Sequence, residues 1–152
     1  EVLGRRILVE NPSRYISYAH STLSDEEFLD VIAQRTGCGL LCDVNNIFVT
    51  ARNEGRDPGR ALAAFPMAHV REFHLAGHDT VAGATGTVRI DTHDRPVCDD
   101  VWRLFERACR VAKAPTLIEW DNDLPTLEVL LGEAAKARVM RNTIEREYAG
   151  VA

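Results

Sequence analysis

The segment Val70–His93, with the sequence VREFHLAGHDTVAGATGTVRIDTH, decides the predicted fold of this chain. Its first apolar run carries His74 and is closed by His78, and a second short apolar run ends in Asp91 and His93. A strand that enters a core as an apolar run and finishes in a potential metal ligand is the unit of a (β/α) barrel active site. The segment therefore predicts part of a barrel with a metal site.

Three more apolar runs end in the same way, in carboxylates or amides. They are ILVEN at Ile7–Asn11, GLLCDVNN at Gly39–Asn46 and PTLIEWD at Pro115–Asp121. Helical patterns separate the runs, which gives the order βαβαβαβα. Strands that alternate with helices predict a parallel sheet and the α/β fold class.

The predicted helices have recognisable starts and apolar faces. Ser24 to Glu27 forms a capping box, with Gly37 as the stop. Further helices are predicted over Asn45–Asn53, from Asp57-Pro58 to Phe65, from a cap at Asp99 or Asp100, and from Pro125 onward. The expected inner faces are Phe28, Val31 and Ile32 in the first helix, Val101, Leu104, Phe105 and Ala108 in the fourth, and Leu127, Leu130, Leu131, Ala134 and Val139 in the last. Gly77–Gly86, rich in Gly, Ala and Thr, is predicted to be a loop.

Four βα units are half of an eight-stranded TIM barrel. We predict one domain over residues 1–152 that forms this half barrel, with an uncovered strand edge at each side. The missing strands are expected from the same gene product or from a partner chain, and the chain alone is expected to self-associate.

Composition limits the partners that the chain can have. Hydrophobic residues make up 45% and charged residues 27%, as in a soluble globular domain, and the net charge of −5 argues against nucleic acid as a partner. The sequence has no run of roughly 18 apolar residues that could span a membrane. The four cysteines form no CxxC pair and lie in apolar settings, which predicts buried, reduced thiols and a cytoplasmic protein.

The strand ends predict a first metal ion. In a TIM-type barrel the active site lies at the C-terminal ends of the strands, because the βα loops converge there. Four residues hold such positions on four strands: Glu10, Asp43, His74 and Glu119. Carboxylate and imidazole donors suit Fe, Mn or Zn, and a divalent cation would offset the repulsion among the carboxylates.

A second ion is predicted beside the first, held by Asp91, His93 and Asn46. Asp91 and His93 are two residues apart, so in an extended segment their side chains face the same way. His78 is the candidate catalytic residue, although it could also donate a hydrogen bond to a ligand or merely close the loop. Asp121 and Asp123 are expected to cap the last helix.

The motifs ENPSRY, LLCDVNN, EFHLAGH, IDTH and TLIEWD resemble those of a DUF-type (UPF) family of multinuclear iron proteins that includes the methanobactin biosynthesis oxygenase. The resemblance runs from about Ile7 to Ala137 and covers only the C-terminal half of that family's length. It implies a xylose isomerase-like TIM barrel, of which these strands would be the fifth to the eighth. It also implies two or three iron ions that bind a cysteine of a ribosomally made peptide and use dioxygen, often with a small partner protein that presents the peptide.

A more distant similarity leaves two alternatives open. Barrels of the AP-endonuclease type place carboxylate and histidine ligands in the same order, with Asn46 standing here in place of a histidine. By that similarity the protein would be a zinc or manganese hydrolase or isomerase, and Glu10 would bridge to a neighbouring ion. The other alternative is an inactive, truncated half barrel that keeps one metal.

Overall fold

A computed structural model describes residues 3–83 and 86–150 of the chain. Its strands are β1 Leu8–Glu10, β2 Gly39–Asp43, β3 Val70–Ala76, β4 Asp79–Gly83, β5 Gly86–Ile90 and β6 Thr116–Glu119. Four of them form a parallel sheet in the order β1-β2-β3-β6. All four strands of the predicted sheet, and their parallel direction, are confirmed.

The helices are α1 Asp25–Thr36, α2 Val44–Asn53, α3 Pro58–Ala64, α4 Asp99–Val111 and α5 Leu127–Ala149, and a 3₁₀ turn covers Met67–His69. The predicted capping box of α1 is present: the Glu27 amide donates to Ser24 Oγ at 3.1 Å, and the Ser24 amide donates to Glu27 Oε2 at 2.8 Å. Gly37 ends α1 with a φ of 72°, a conformation that favours glycine. None of the helices in these described ranges is long and apolar enough to cross a membrane.

The core lies between the sheet and the helices. Leu40, Cys42, Phe73 and Leu75 on the strands are completely buried, and Phe73 packs edge-on against Phe105 of α4, with ring centroids 5.8 Å apart. The predicted inner face of α4 is confirmed, since all four of its residues are buried. All four cysteines are free thiols, with Cys98 half-buried and the other three buried.

The predicted inner faces of α1 and α5 are partly wrong, although Ile32 packs against the core and Leu130 and Ala134 are half-buried. In α1 the buried residues are Leu29 and Ala33, while Phe28 is 54% exposed. In α5 the buried residues are Ala137 and Ile144, whereas Leu127, Leu131 and Val139 are exposed. Both helices carry apolar residues on more than one stripe, so helical spacing alone does not select the stripe that packs on the core.

The predicted loop over Gly77–Gly86 is also wrong. β4 and β5 form an antiparallel hairpin, in which Val81 pairs with Val88 and Gly83 with Gly86. The tip of the predicted loop at residues 84–85 lies outside the described residues. Asn53 of α2 anchors the hairpin, because its side chain exchanges two 2.9 Å hydrogen bonds with the backbone of Arg89. The hairpin strands carry β-branched residues, which favour strands, in the pairs Thr80-Val81 and Thr87-Val88, but the many small residues around them are typical of a loop.

The start of α4 differs from the prediction by one or two residues. Cys98 occupies the cap position and makes no side-chain capping hydrogen bond, so neither Asp99 nor Asp100 is the cap. Both aspartates lie in the first turn instead, where a negative charge interacts favourably with the helix dipole.

Candidate metal centre

The parallel sheet brings four of the predicted ligands to one end. Asp43 pairs directly with His74 across β2 and β3, and Glu119 lies two residues beyond the partner of His74 on β6. Side chains two residues apart on a strand face the same way. One potential ligand atom from each of Glu10, Asp43, His74 and Glu119 therefore lies within 4.8 Å of the others. We call these four residues the first group.

Asp43 is the buried member of the first group. One carboxylate oxygen, Oδ1, accepts from the Asn46 amide at 2.7 Å and caps α2, as the strand-to-helix turn requires. The other oxygen, Oδ2, is buried and has no hydrogen-bond partner among the described residues. Burial raises the pKa of Asp43 well above its usual range. A cation beside Oδ2 would satisfy this oxygen and favour the ionised carboxylate.

Asn11 fixes the position of Asp43. Its side-chain nitrogen donates to the Asp43 carbonyl at 2.9 Å, and its side-chain oxygen accepts from the Asp43 amide at 2.9 Å. These two bonds extend the pairing of the three-residue strand β1 with β2 by one more step. The ILVEN motif therefore supplies a ligand type in Glu10 and a clamp on another ligand type in Asn11.

His74 lies among the carboxylates of the first group. Its Nδ1 is 3.1 Å from Glu119 Oε2 and 3.8 Å from Glu10 Oε1, and its Nε2 is 3.6 Å from Glu72 Oε1. Burial raises the pKa of Glu10; His74 opposes that rise and Glu119 adds to it. Three carboxylates therefore lie within 4 Å of one imidazole ring. This concentration of negative charge favours a bound cation.

A second group lies beside the first and shares Glu119 with it. Potential ligand atoms of His93, Glu119 and Asp121 lie within 4.8 Å of one another. His93 Nδ1 is 3.1 Å from Asp121 Oδ2 and 3.7 Å from Glu119 Oε2. Asp121 thus lies in this candidate group, and the prediction that Asp121 and Asp123 cap the last helix is wrong, because the cap position of α5 is Thr126.

His93 does not lie in an extended segment, contrary to the prediction. Its φ is 51°, in the left-handed region. The strained backbone is held on both sides: the His93 amide donates to the Gly77 carbonyl at 3.1 Å, and the His93 carbonyl accepts from the Asp121 amide at 2.8 Å. The ring then bends back, so that His93 Nε2 is 2.8 Å from Asp91 Oδ1. This hydrogen bond raises the pKa of His93 to about 9, although burial opposes the rise.

Asp91 and Asn46, the other two predicted ligands, lie outside both groups and form hydrogen bonds with different partners. Asp91 Oδ1 accepts from both His93 and the Asn45 side chain, the latter at 2.6 Å. Asn46 Nδ2 donates to the Asn11 carbonyl at 3.0 Å, and Asn46 Oδ1 is buried without a hydrogen-bond partner in the described part of the chain. The ligand roles of all seven residues stay predictions.

His78 lies outside both groups. Its Nδ1 is 2.8 Å from Asn45 Oδ1, and its ring packs on Phe48 with centroids 5.1 Å apart. Burial lowers the pKa of His78, and the nearby positive charge of Arg89 lowers it further. Asn45 connects His78 to Asp91, and sequence reasoning missed it; the only signal was a second amide in the DVNN motif.

Two comparisons with known proteins identify relatives of this chain. Residues 1–142 match the model of a family described as RiPP precursor modification enzyme MbnB/TglH/ChrH. A UPF0276 protein of Rhizobium meliloti is 44% identical over 153 aligned residues, which cover 99% of this chain and 48% of that protein. UPF0276 proteins of Vibrio parahaemolyticus and Rhizorhabdus wittichii are each 46% identical, over 95% and 98% of the chain and 50% and 52% of their own lengths.

The chain spans about half the length of the curated relatives that it matches. The resemblance that its motifs suggested is confirmed, because the family match covers nearly all of the chain. The chain belongs to the MbnB/TglH/ChrH family of enzymes that modify RiPP precursors, the ribosomally made peptides that are altered after synthesis.

Proposed function

We propose that the whole protein is a multinuclear non-haem iron enzyme that oxidises cysteine residues of a ribosomally made precursor peptide. The family description supports a peptide substrate. The observation that carries the proposal is the pair of ligand groups that share Glu119, since a carboxylate with two oxygens can serve two neighbouring ions. When bound there, iron supplies one-electron redox chemistry with dioxygen as the oxidant.

The residues present fit a divalent transition-metal cation. Carboxylate and imidazole donors are the ligand types of iron, manganese and zinc. The unpartnered Asp43 Oδ2 is a buried acceptor that a cation would satisfy. The protein holds this acceptor rigidly, because Asn46 and Asn11 fix the two ends of Asp43.

Exposure gives the site a closed side and an open side. The Asp43 side chain is completely buried, whereas the Glu10 side chain is 41% exposed. Asp43 would therefore keep water away from the closed side, whereas Glu10 lies at the end of the edge strand β1, which the other half of the proposed barrel would cover. His78, the candidate catalytic residue, would act on the peptide from beyond Asp91 and Asn45.

We further propose that residues 1–152 form one domain that is the C-terminal half of a xylose isomerase-like TIM barrel. The parallel order of four strands and the half-length match to relatives support this proposal. Further ligands, and a small partner protein that presents the peptide, would come from outside the chain. The cytoplasmic location inferred from reduced thiols stays a prediction.

The test is the metal content of Glu119→Gln beside Glu145→Gln, a matched control on an exposed position of α5. Both proteins are purified anaerobically, loaded with iron(II) and analysed by elemental analysis and Mössbauer spectroscopy. We expect Glu119→Gln to weaken metal binding by about tenfold or more, with an unchanged circular dichroism spectrum, because Glu119 belongs to both groups. Unchanged metal content in Glu119→Gln would rule out its ligand role.

The same measurement separates the alternatives. Zinc or manganese alone, retained in preference to iron, would favour a hydrolase or isomerase. The chain is also mixed with the part of the Rhizobium meliloti relative that lies outside the matched residues. Metal that is bound only in the mixture would show that the site needs both halves, and a mixture that binds one ion without turnover would favour the inactive half barrel.

A further inference from the structure

Asn45 forms hydrogen bonds with two residues, Asp91 and His78, that belong to neither ligand group. It is completely buried at the start of α2, directly after the capping residue Asp43 and Val44. Its side-chain nitrogen donates to Asp91 Oδ1 at 2.6 Å, and its side-chain oxygen is 2.8 Å from His78 Nδ1. Both polar ends of the amide are therefore used, and each faces one residue of the site.

The chemistry of the two neighbours fixes the orientation of this amide. An ionised carboxylate can only accept hydrogen bonds, so the NH₂ end of Asn45 must face Asp91. The carbonyl end then faces His78, and a carbonyl can only accept as well. His78 Nδ1 must consequently be the nitrogen that carries the hydrogen.

We propose that Asn45 is a positioning residue that holds His78 as the Nδ1-protonated tautomer and leaves Nε2 as its hydrogen-bond and proton acceptor. Asp91 fixes the orientation of the Asn45 amide, and the amide fixes which nitrogen of His78 is protonated. The imidazole then presents its basic nitrogen to the substrate. The hydrogen-bond assignment stands apart from the proposed function. Only its use in turnover, where Nε2 would take a proton from the bound peptide, rests on that function.

The surroundings of His78 keep the ring in place and neutral. Phe48, one turn after Asn45 on the same helix, packs against the ring at a centroid distance of 5.1 Å. Burial and the positive charge of Arg89 both lower the pKa of His78, which disfavours the form with two N–H groups. In a neutral histidine, the hydrogen-bond partner of one ring nitrogen decides which of the two nitrogens is protonated. Here that partner is the side-chain carbonyl of Asn45 at Nδ1.

The experiment measures the tautomer directly. The whole chain is labelled with ¹⁵N-histidine and titrated with zinc(II), a diamagnetic ion, and the metal content of each sample is determined separately. Long-range ¹H–¹⁵N correlation spectra then distinguish protonated from unprotonated ring nitrogens, with His78 assigned by its loss in His78→Gln. We expect His78 to show a protonated Nδ1 and an unprotonated Nε2 in the wild-type chain.

Two variants test the role of Asn45, with Asn142→Ala on an exposed position of α5 as the control. Asn45→Ala removes the acceptor, so we expect His78 to shift to a mixture of tautomers or to the Nε2-protonated form. Asp91→Asn leaves Asn45 in place but lets its amide turn over, so it should also mix the tautomers of His78. Asn142→Ala should retain the wild-type spectrum.

An Nε2-protonated His78 in the wild-type chain would overturn the proposal, even if Asn45→Ala fails to fold. An unchanged tautomer in both Asn45→Ala and Asp91→Asn would overturn it as well. The expected tautomer in a chain that binds no zinc would still support the assignment, since the hydrogen-bond chain does not require the metal.

Discussion

Protonation of the His93 ring makes the stability of the folded chain depend on pH. The pKa of His93 in the folded chain is raised from the ordinary value of 6.5 to about 9, chiefly by its hydrogen bond with Asp91. A raised pKa means that folding stabilises the protonated ring. This stabilisation is fully present below pH 6.5 and is lost as the pH rises through about 9.

We therefore expect opposite pH trends for stability and for metal binding between about pH 6.5 and 9. The His93 contribution to the stability of the metal-free chain should fall, while the metal affinity should rise, because a nitrogen must lose its proton to bind a metal. Urea unfolding in chelator and metal titrations across this range measure both quantities. Asp91→Asn removes the main cause of the shift, so it should flatten the stability trend. A metal affinity that does not change with pH would contradict a ligand role for His93.

The link between β3 and β4 is tight at Gly77. A Cβ atom at this position would lie 2.0 Å from the carbonyl oxygen of Arg95, which belongs to the backbone and cannot rotate away. The carbonyl of Gly77 also accepts a hydrogen bond from the amide of His93. The absence of a side chain at Gly77 thus lets the segment that carries His93 lie against the end of β3.

We expect Gly77→Ala to lower the free energy of unfolding by about 1–3 kcal/mol and to weaken metal binding, because the segment from His93 to Arg95 must move. Gly132→Ala in α5 is the matched control. Its Cβ meets no atom within 4 Å, so the change should stabilise the chain by about 0.5–1 kcal/mol. Denaturant unfolding and metal titration measure the effects, and wild-type stability in Gly77→Ala would contradict the close approach.

Local signals explain which elements could be predicted from the sequence. The four parallel strands are short apolar runs, and the box at Ser24 satisfies helix amides without help from the rest of the fold. Parallel strands have their C-terminal ends at one edge, which is why the sequence alone was enough to group Glu10 with Glu119. The inner stripe of α5 was not predictable, because it depends on which neighbour the helix meets.

The parts of the site that were missed depend on backbone conformation. The pairing of His93 with Asp121 follows from a left-handed residue held by two backbone hydrogen bonds, and no spacing rule encodes such a turn. The role of Asn45 depends on two partners far away in the sequence, His78 and Asp91. Sequence patterns report periodicity and caps, whereas these contacts are fixed only when the sheet has formed.

The whole molecule presents two open sheet edges within the described residues. β1 and β6 each pair with one strand only, and apolar side chains lie beside them: Ile7 is 50% exposed and Leu117 is 44% exposed. Unpaired strand edges are sites where another chain can add. In a complete barrel these edges would be covered by the other half.

We expect the chain alone to self-associate in a concentration-dependent manner, measured by multi-angle light scattering. The double variant Ile7→Lys with Leu117→Lys should shift the chain toward monomer, because a charge on an edge disfavours strand addition. Val111→Lys, which changes an exposed residue at the end of α4, should leave association unchanged. A wild-type chain that is monomeric at all concentrations would contradict the half-barrel proposal.

The first group takes one residue from each of the four parallel strands. An ion held by the first group would tie together four segments that are far apart in sequence, much as a covalent cross-link closes loops. A tie of this kind restricts the unfolded chain most where the loops are long. Loading with metal would then lengthen the lifetime of the folded sheet as a unit, and a chelator would release four strands at once rather than a single loop.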